Sequence, residues 1–155
     1  MKKNIFIALL ALAALLPARA ENAAWVKAQT EAKASNKLVL LDFTGSDWCP
    51  ACIMFHREVL EAPEFIAYSK TNLTVLVVDF PKFYPQSTAQ HDANVELVQQ
   101  FNAANPDGSI GFPVLMIVDA DGKELTRQAG YRPGSGAKEF IARVEQLKAE
   151  QIKKK

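Results

Sequence analysis

The sequence predicts an α/β sandwich, a central mixed β-sheet with helices on both faces, and three observations lead there. Nearly continuous apolar runs of strand length stand at Leu38–Phe43, Leu73–Val78 and Pro113–Val118, as expected of strands covered on both sides. Segments of helical spacing separate each run from the next, and strands joined through a helix tend to pair in parallel. Asp119-Ala120-Asp121-Gly122 forms a hairpin turn that sends the third run into a fourth, antiparallel strand, Lys123–Gln128.

The first twenty residues stand apart from this pattern. Lys2 and Lys3 open the chain, Ile5–Leu16 is apolar and uncharged, and Ala18-Arg19-Ala20 places small residues where a signal peptidase reads them. The apolar stretch is too short for a bilayer span, which needs about 20 residues. Residues 1–20 are therefore expected to be a cleaved signal peptide, and residues 21–155 one domain, exported to the periplasm or an equivalent compartment.

The elements follow in order. Ala23–Ser35 consists of good helix formers with Trp25, Ala28 and Ala32 at helical spacing. After the first strand, Thr44-Gly45-Ser46-Asp47 reads as a turn, and Cys49-Pro50-Ala51-Cys52 follows at once. Ile53, Phe55, Val59 and Leu60 suit one helical face, which Pro63 interrupts before a second stretch to about Lys70. Pro81 and Pro85 make Phe80–Thr88 a loop, with Phe83 and Tyr84 as candidates for a partner surface or for packing the loop itself. Helical spacing resumes over Ala89–Ala104 through Val95, Val98 and Phe101, until Asn105-Pro106-Asp107-Gly108 stops it. A closing amphipathic helix carries Phe140, Ile141, Val144 and Leu147. Met54 and Met116 are read as core filling.

Charge excludes some partners. The chain has 18 basic and 17 acidic residues, and losing Lys2, Lys3 and Arg19 leaves 15 against 17, a formal charge of −2. Nothing in that balance favours nucleic acid or a strongly charged membrane surface. Lys153-Lys154-Lys155 reads as a solvated helix end. The two cysteines, spaced C-x-x-C, lack a second pair for a four-ligand zinc site, so no metal is assigned.

Position gives the pair its chemistry. Cys49 stands after a strand and turn at the start of a helix, where unpaired N–H groups and the helix dipole favour a thiolate. Cys52 follows one turn later, within reach of a mixed disulfide on Cys49. Pro50, as an early helical residue, loses no hydrogen bond. A structural bridge, half a metal site or two inert thiols would not need this junction. His56, four residues beyond Cys52, reads either as a weak metal ligand beside the cysteines or as a partly packed surface side chain. His91, near a helix start, needs no function.

Leu38–Phe43, Trp48-Cys49-Pro50-Ala51-Cys52, and Gly111-Phe112-Pro113 before a strand and an Asp-Gly turn together resemble the thioredoxin superfamily. The helix with Trp25 and Lys33, followed by Phe43-Thr44-Gly45-Ser46-Asp47-Trp48-Cys49, resembles exported bacterial thioredoxin-like proteins related to the periplasmic reducing domain of DsbD-type electron carriers. The resemblance implies a thioredoxin fold whose only redox group is the Cys49–Cys52 disulfide, with no further cofactor. It implies that Cys49 attacks, Cys52 resolves, and Trp48, Pro50 and Ala51 shape the site. It implies that Pro113 is the family's cis-proline and that Phe112 and Pro113 offer backbone groups to a substrate chain. Asp42 resembles the family's buried acid, which assists deprotonation of the resolving cysteine, although one extra residue separates it from the cysteines here. A strand-end acid that caps nearby backbone is the other reading of Asp42.

These residues point to a monomeric thiol–disulfide oxidoreductase of protein disulfides. Pro50-Ala51 lacks the histidine that helps make some relatives strong oxidants, which favours a reductase fed by a membrane thiol donor. An oxidase or isomerase, and a non-enzymatic module that carries a metal or docks a partner through Cys49, Cys52 and His56, stand as alternatives.

Overall fold

The computed structural model describes residues 22–153, so the expected signal peptide lies outside the described residues. Asn22 caps the first helix by accepting the Ala24 and Trp25 amides, and α1 (Ala23–Ser35) ends where Asn36 turns left-handed. Then follow β1 (Leu38–Thr44), α2 (Pro50–Phe55) with a π-helical continuation (His56–Leu60), α3 (Pro63–Asn72) and β2 (Leu73–Asp79). The chain closes with α4 (Thr88–Gln100), β3 (Val114–Val118), β4 (Glu124–Ala129) and α5 (Gly136–Lys153). Among the described residues no helix is long and apolar enough to cross a membrane.

The sheet order is β2-β1-β3-β4, with β1 parallel to β2 and antiparallel to β3. This corrects one expectation. A helix and a long loop separate β2 from β3, yet β3 does not pair with β2; it crosses to the other edge of β1 and runs against it. Pro113 also falls just outside the strand, which begins at Val114, and α4 stops at Gln100, earlier than its apolar spacing suggests. Phe101 still packs in the core from beyond the helix end.

Strand alternation divides the core into two layers. Val39, Leu41 and Phe43 of β1 join Val114, Met116 and Val118 under α1 and α4, around Trp25, Leu97 and Phe101. Leu40 faces the other side with Leu115 and Ile117, against Phe55, Val59, Phe65 and Val144 of the helices. Asp42 shares parity with Leu40, so a carboxyl group projects into this second apolar layer, beneath the helix that carries Cys52. The close approach of Trp25 to Gly122, where a Cβ would come within 3.0 Å of the indole, seals the first layer at the β3–β4 turn.

Candidate active site

The cysteine loop is built on Gly45. A Cβ there would lie 2.5 Å from the Trp48 indole, so only glycine lets the ring fold back over the backbone. The Gly45 carbonyl accepts the Cys49 amide at 3.0 Å and closes the turn. Cys49 is then the N-cap of α2, with Pro50 in the first helical turn, and its Sγ accepts the Cys52 amide at 3.2 Å. The two cysteines form a disulfide with Cα atoms 5.2 Å apart. Cys49 keeps 5% of its surface in solvent and Cys52 none. The pair thus occupies the strand–turn–helix junction expected from its spacing, and Ala51 lies half-buried between.

Aromatic contacts bring a distant loop against this junction. Trp48 donates its Nε1–H to the Phe80 carbonyl at 2.8 Å and meets the Phe112 ring edge-on at 5.5 Å. Phe80 in turn lies 5.6 Å from Phe112. The Phe112–Pro113 peptide bond is cis. Phe112 and Pro113 are thereby held beside the residue that precedes Cys49, and Trp48 remains 39% exposed at the rim.

A second set of bonds ties Phe80–Thr88 to the same turn. The Asp47 carboxylate accepts the amides of Lys82, Phe83 and Tyr84 at 2.9, 2.7 and 3.0 Å. Burial by itself would raise the Asp47 pKa, but these bonds to the charged form together hold it below the usual carboxylate value. Asp79, at the end of β2, accepts the Ser46 amide at 2.9 Å and its hydroxyl at 2.6 Å. The Phe83 and Tyr84 side chains do not pack the loop: they stand 69% and 71% exposed.

Asp42 and His56 form a pair that neither residue suggested alone. His56 Nε2 lies 2.7 Å from Asp42 Oδ2, with the Asp42 side chain wholly buried and His56 24% exposed. Asp42 Oδ1 accepts no hydrogen bond from the protein, which overturns the reading of Asp42 as a cap for nearby backbone. Burial raises the Asp42 pKa against the lowering effect of His56, while the hydrogen bond to the Asp42 carboxylate raises that of His56. Both values are raised, each by its own cause, and the shared hydrogen bond couples the two titrations.

The pairing also changes the reading of His56, because its Nε2 is turned to the Asp42 carboxyl. Among the described residues no group of three or more His, Cys, Asp or Glu could hold a metal. His91 stacks edge-on with Phe80 at 6.0 Å. Met116 is in the core, but Met54 is only half-buried and its sulfur accepts from Arg57.

Comparison with known proteins agrees with this geometry. Residues 25–148 match the thioredoxin-like domain family. A protein of Chlamydia pneumoniae named disulfide bond reductase DsbH is 36% identical over 131 residues, which is 83% of this chain and 74% of that one. The solved structure of a DsbH oxidoreductase superposes with a TM-score of 0.67 at 34% identity, covering 79% of each chain. The oxidised DsbD C-terminal domain of Neisseria meningitidis shares the fold, with a TM-score of 0.52 at 24% identity over 79% of this chain and 90% of that one.

Proposed function

This chain belongs to the thioredoxin-like family and is a thiol–disulfide oxidoreductase that works through a redox-active disulfide, and from that premise we propose that it is an exported reductase of protein disulfides. The observation that carries the reading is the capped cysteine: Cys49 Sγ already accepts the Cys52 amide at the helix start, an arrangement that would hold a thiolate once the disulfide is reduced. Likeness to a protein named disulfide bond reductase supports the direction. So does Pro50-Ala51 between the cysteines.

The Cys49 thiolate attacks one sulfur of a substrate disulfide and expels the other as a thiolate. Cys52 then gives its proton to Asp42, attacks Cys49 Sγ, breaks the mixed disulfide and releases the second substrate thiolate. Two electrons pass to the substrate, and the enzyme is left as the Cys49–Cys52 disulfide. A membrane-bound dithiol donor restores it. The backbone at Phe112 and cis-Pro113 borders the cysteine loop and would pair with an extended substrate segment. Residues 21–155 act as a single monomeric domain after removal of residues 1–20.

Three measurements test this. Equilibration against glutathione should place the couple nearer the value of about −270 mV typical of thioredoxin than the value of about −120 mV of strong oxidants; a potential at the oxidising end would reverse the direction. In cells, Cys52→Ala should accumulate mixed disulfides in the envelope and Cys49→Ala far fewer. Equal trapping by both variants would remove the division of labour, and a mature protein that still begins at Met1 would remove the cleaved signal.

A further inference from the structure

We propose that His56 carries the proton between the buried Asp42 and solvent during resolution of the mixed disulfide. The inference rests on the reading of Asp42 as the group that takes the Cys52 proton. Its starting point is a problem of access. Cys52 and Asp42 are both wholly buried, and the layer around Asp42 is apolar, made of Leu40, Phe55, Val59 and Leu115. A proton left on Asp42 has no route through those side chains.

His56 supplies one. It follows Cys52 by one helical turn, and its backbone N–H donates to the Cys52 carbonyl, so the two residues are rigidly related. One ring nitrogen sits 2.7 Å from Asp42 Oδ2, and the side chain is 24% exposed. Asp42 thus has one oxygen on the imidazole and one, Oδ1, that accepts no hydrogen bond from the protein and is open to a new proton. Imidazole is suited to the task because it can take a proton at one nitrogen and release one at the other.

The steps balance. The Cys52 Sγ–H proton goes to Asp42, the new thiolate displaces the substrate sulfur from Cys49, and that sulfur leaves as a thiolate that takes a proton from water. His56 Nε2 removes the proton from Asp42, and the ring returns one to solvent. The ionisable groups that act on His56 are Asp42 of β1, Asp79 at the end of β2 and Glu61 beyond the π-helical segment. All three are acidic, so the positive charge that the ring takes on as the proton passes through it is stabilised, and burial alone opposes them.

The test follows single-turnover oxidation of the fully reduced protein by a peptide disulfide between about pH 5.5 and 9, a range that brackets the ordinary histidine value. Wild type, His56→Gln and His56→Ala are compared. Glutamine keeps a hydrogen bond to Asp42 but cannot relay. His56→Gln should fold and alkylate at Cys49 as wild type does, while release of the peptide thiol slows about tenfold or more near pH 7 and loses its inflection in the pH profile. Added imidazole should restore part of the rate in His56→Ala and none in wild type. Release from His56→Gln at the wild-type rate, with the profile intact, would overturn the proposal alone. A wild-type protein that reduces no disulfide would overturn the reductase reading and the His56 proposal together.

Discussion

Asp42 and Asp47 stand five residues apart on either side of Gly45, one near the end of β1 and the other in the loop that leads to Cys49. They are the same residue in opposite settings. Asp47 faces three backbone amides, and its pKa is lowered by them. Asp42 is walled in by apolar side chains, shares one oxygen with His56, leaves the other unpaired, and has its pKa raised by burial. The first arrangement stabilises a charge and therefore a loop. The second keeps a carboxyl group ready to hold a proton, at some expense in stability, since a buried acid without full hydrogen bonding is unfavourable. The two carboxylates thus differ in how many donors each has found, three backbone amides for Asp47 and one imidazole for Asp42.

The largest effect that would break this contrast is expected at the buried acid. Asp42→Asn should slow the resolving step about a hundredfold, by removal of a proton acceptor, while leaving the urea midpoint of the oxidised protein unchanged or higher. A variant that loses stability but keeps its rate would make Asp42 the anchor. Asp47→Ala should do the opposite. Reduction of a small peptide disulfide should stay within about tenfold of wild type, well short of the loss of a general base, whereas limited proteolysis should cut the freed loop near Phe83 and Tyr84. Intact loops in that variant would show that Asp79 and Trp48 hold them without Asp47.

The smallest effect, and the one that sharpens the contrast most, is the pH dependence of stability. The folded-state pKa of Asp47 is lowered, so its contribution is present above the ordinary value of about 3.8 and is lost as pH falls through the folded value. Both members of the Asp42–His56 pair have raised values. Stability owed to them therefore falls as pH rises, first above about 3.8 for Asp42 and again above about 6.5 for His56. The stability difference between wild type and Asp47→Ala should shrink in acid, and the gain in Asp42→Asn should grow towards alkaline pH. Urea unfolding from pH 3 to 9 reads both trends, and parallel curves for the two variants would erase the distinction.

Much of the site was legible in the linear chain. The cysteine motif, the turn before it and the strand before that are consecutive residues, so their junction follows from local propensity. Phe112 and Pro113 are legible through the family resemblance, and the contact of Phe112 with Trp48 follows from the fold. What could not be read is the set of partners across elements. His56 is 14 positions from Asp42, and its spacing from Cys52 reads only as a weak metal ligand or a partly packed surface side chain. Asp47 and the amides it holds are 35 to 37 positions apart, and the backbone donors have no signature in residue type. The π-helical turn at His56–Leu60, with the Glu61 amide bonded to the His56 carbonyl, left no mark in the apolar pattern either.

The sequence by itself determined the number and order of the elements and the layering of the sheet, because these follow from apolar periodicity, turn residues and helix breakers acting over a few neighbours. It also determined where the cysteine pair sits. The tertiary structure alone decided that β3 pairs with β1, that Asp42 points at His56, and that a loop with two exposed aromatic residues is fastened beside Trp48. Each of these depends on which face a side chain presents once strands and helices pack, and that choice is made by the whole core at once.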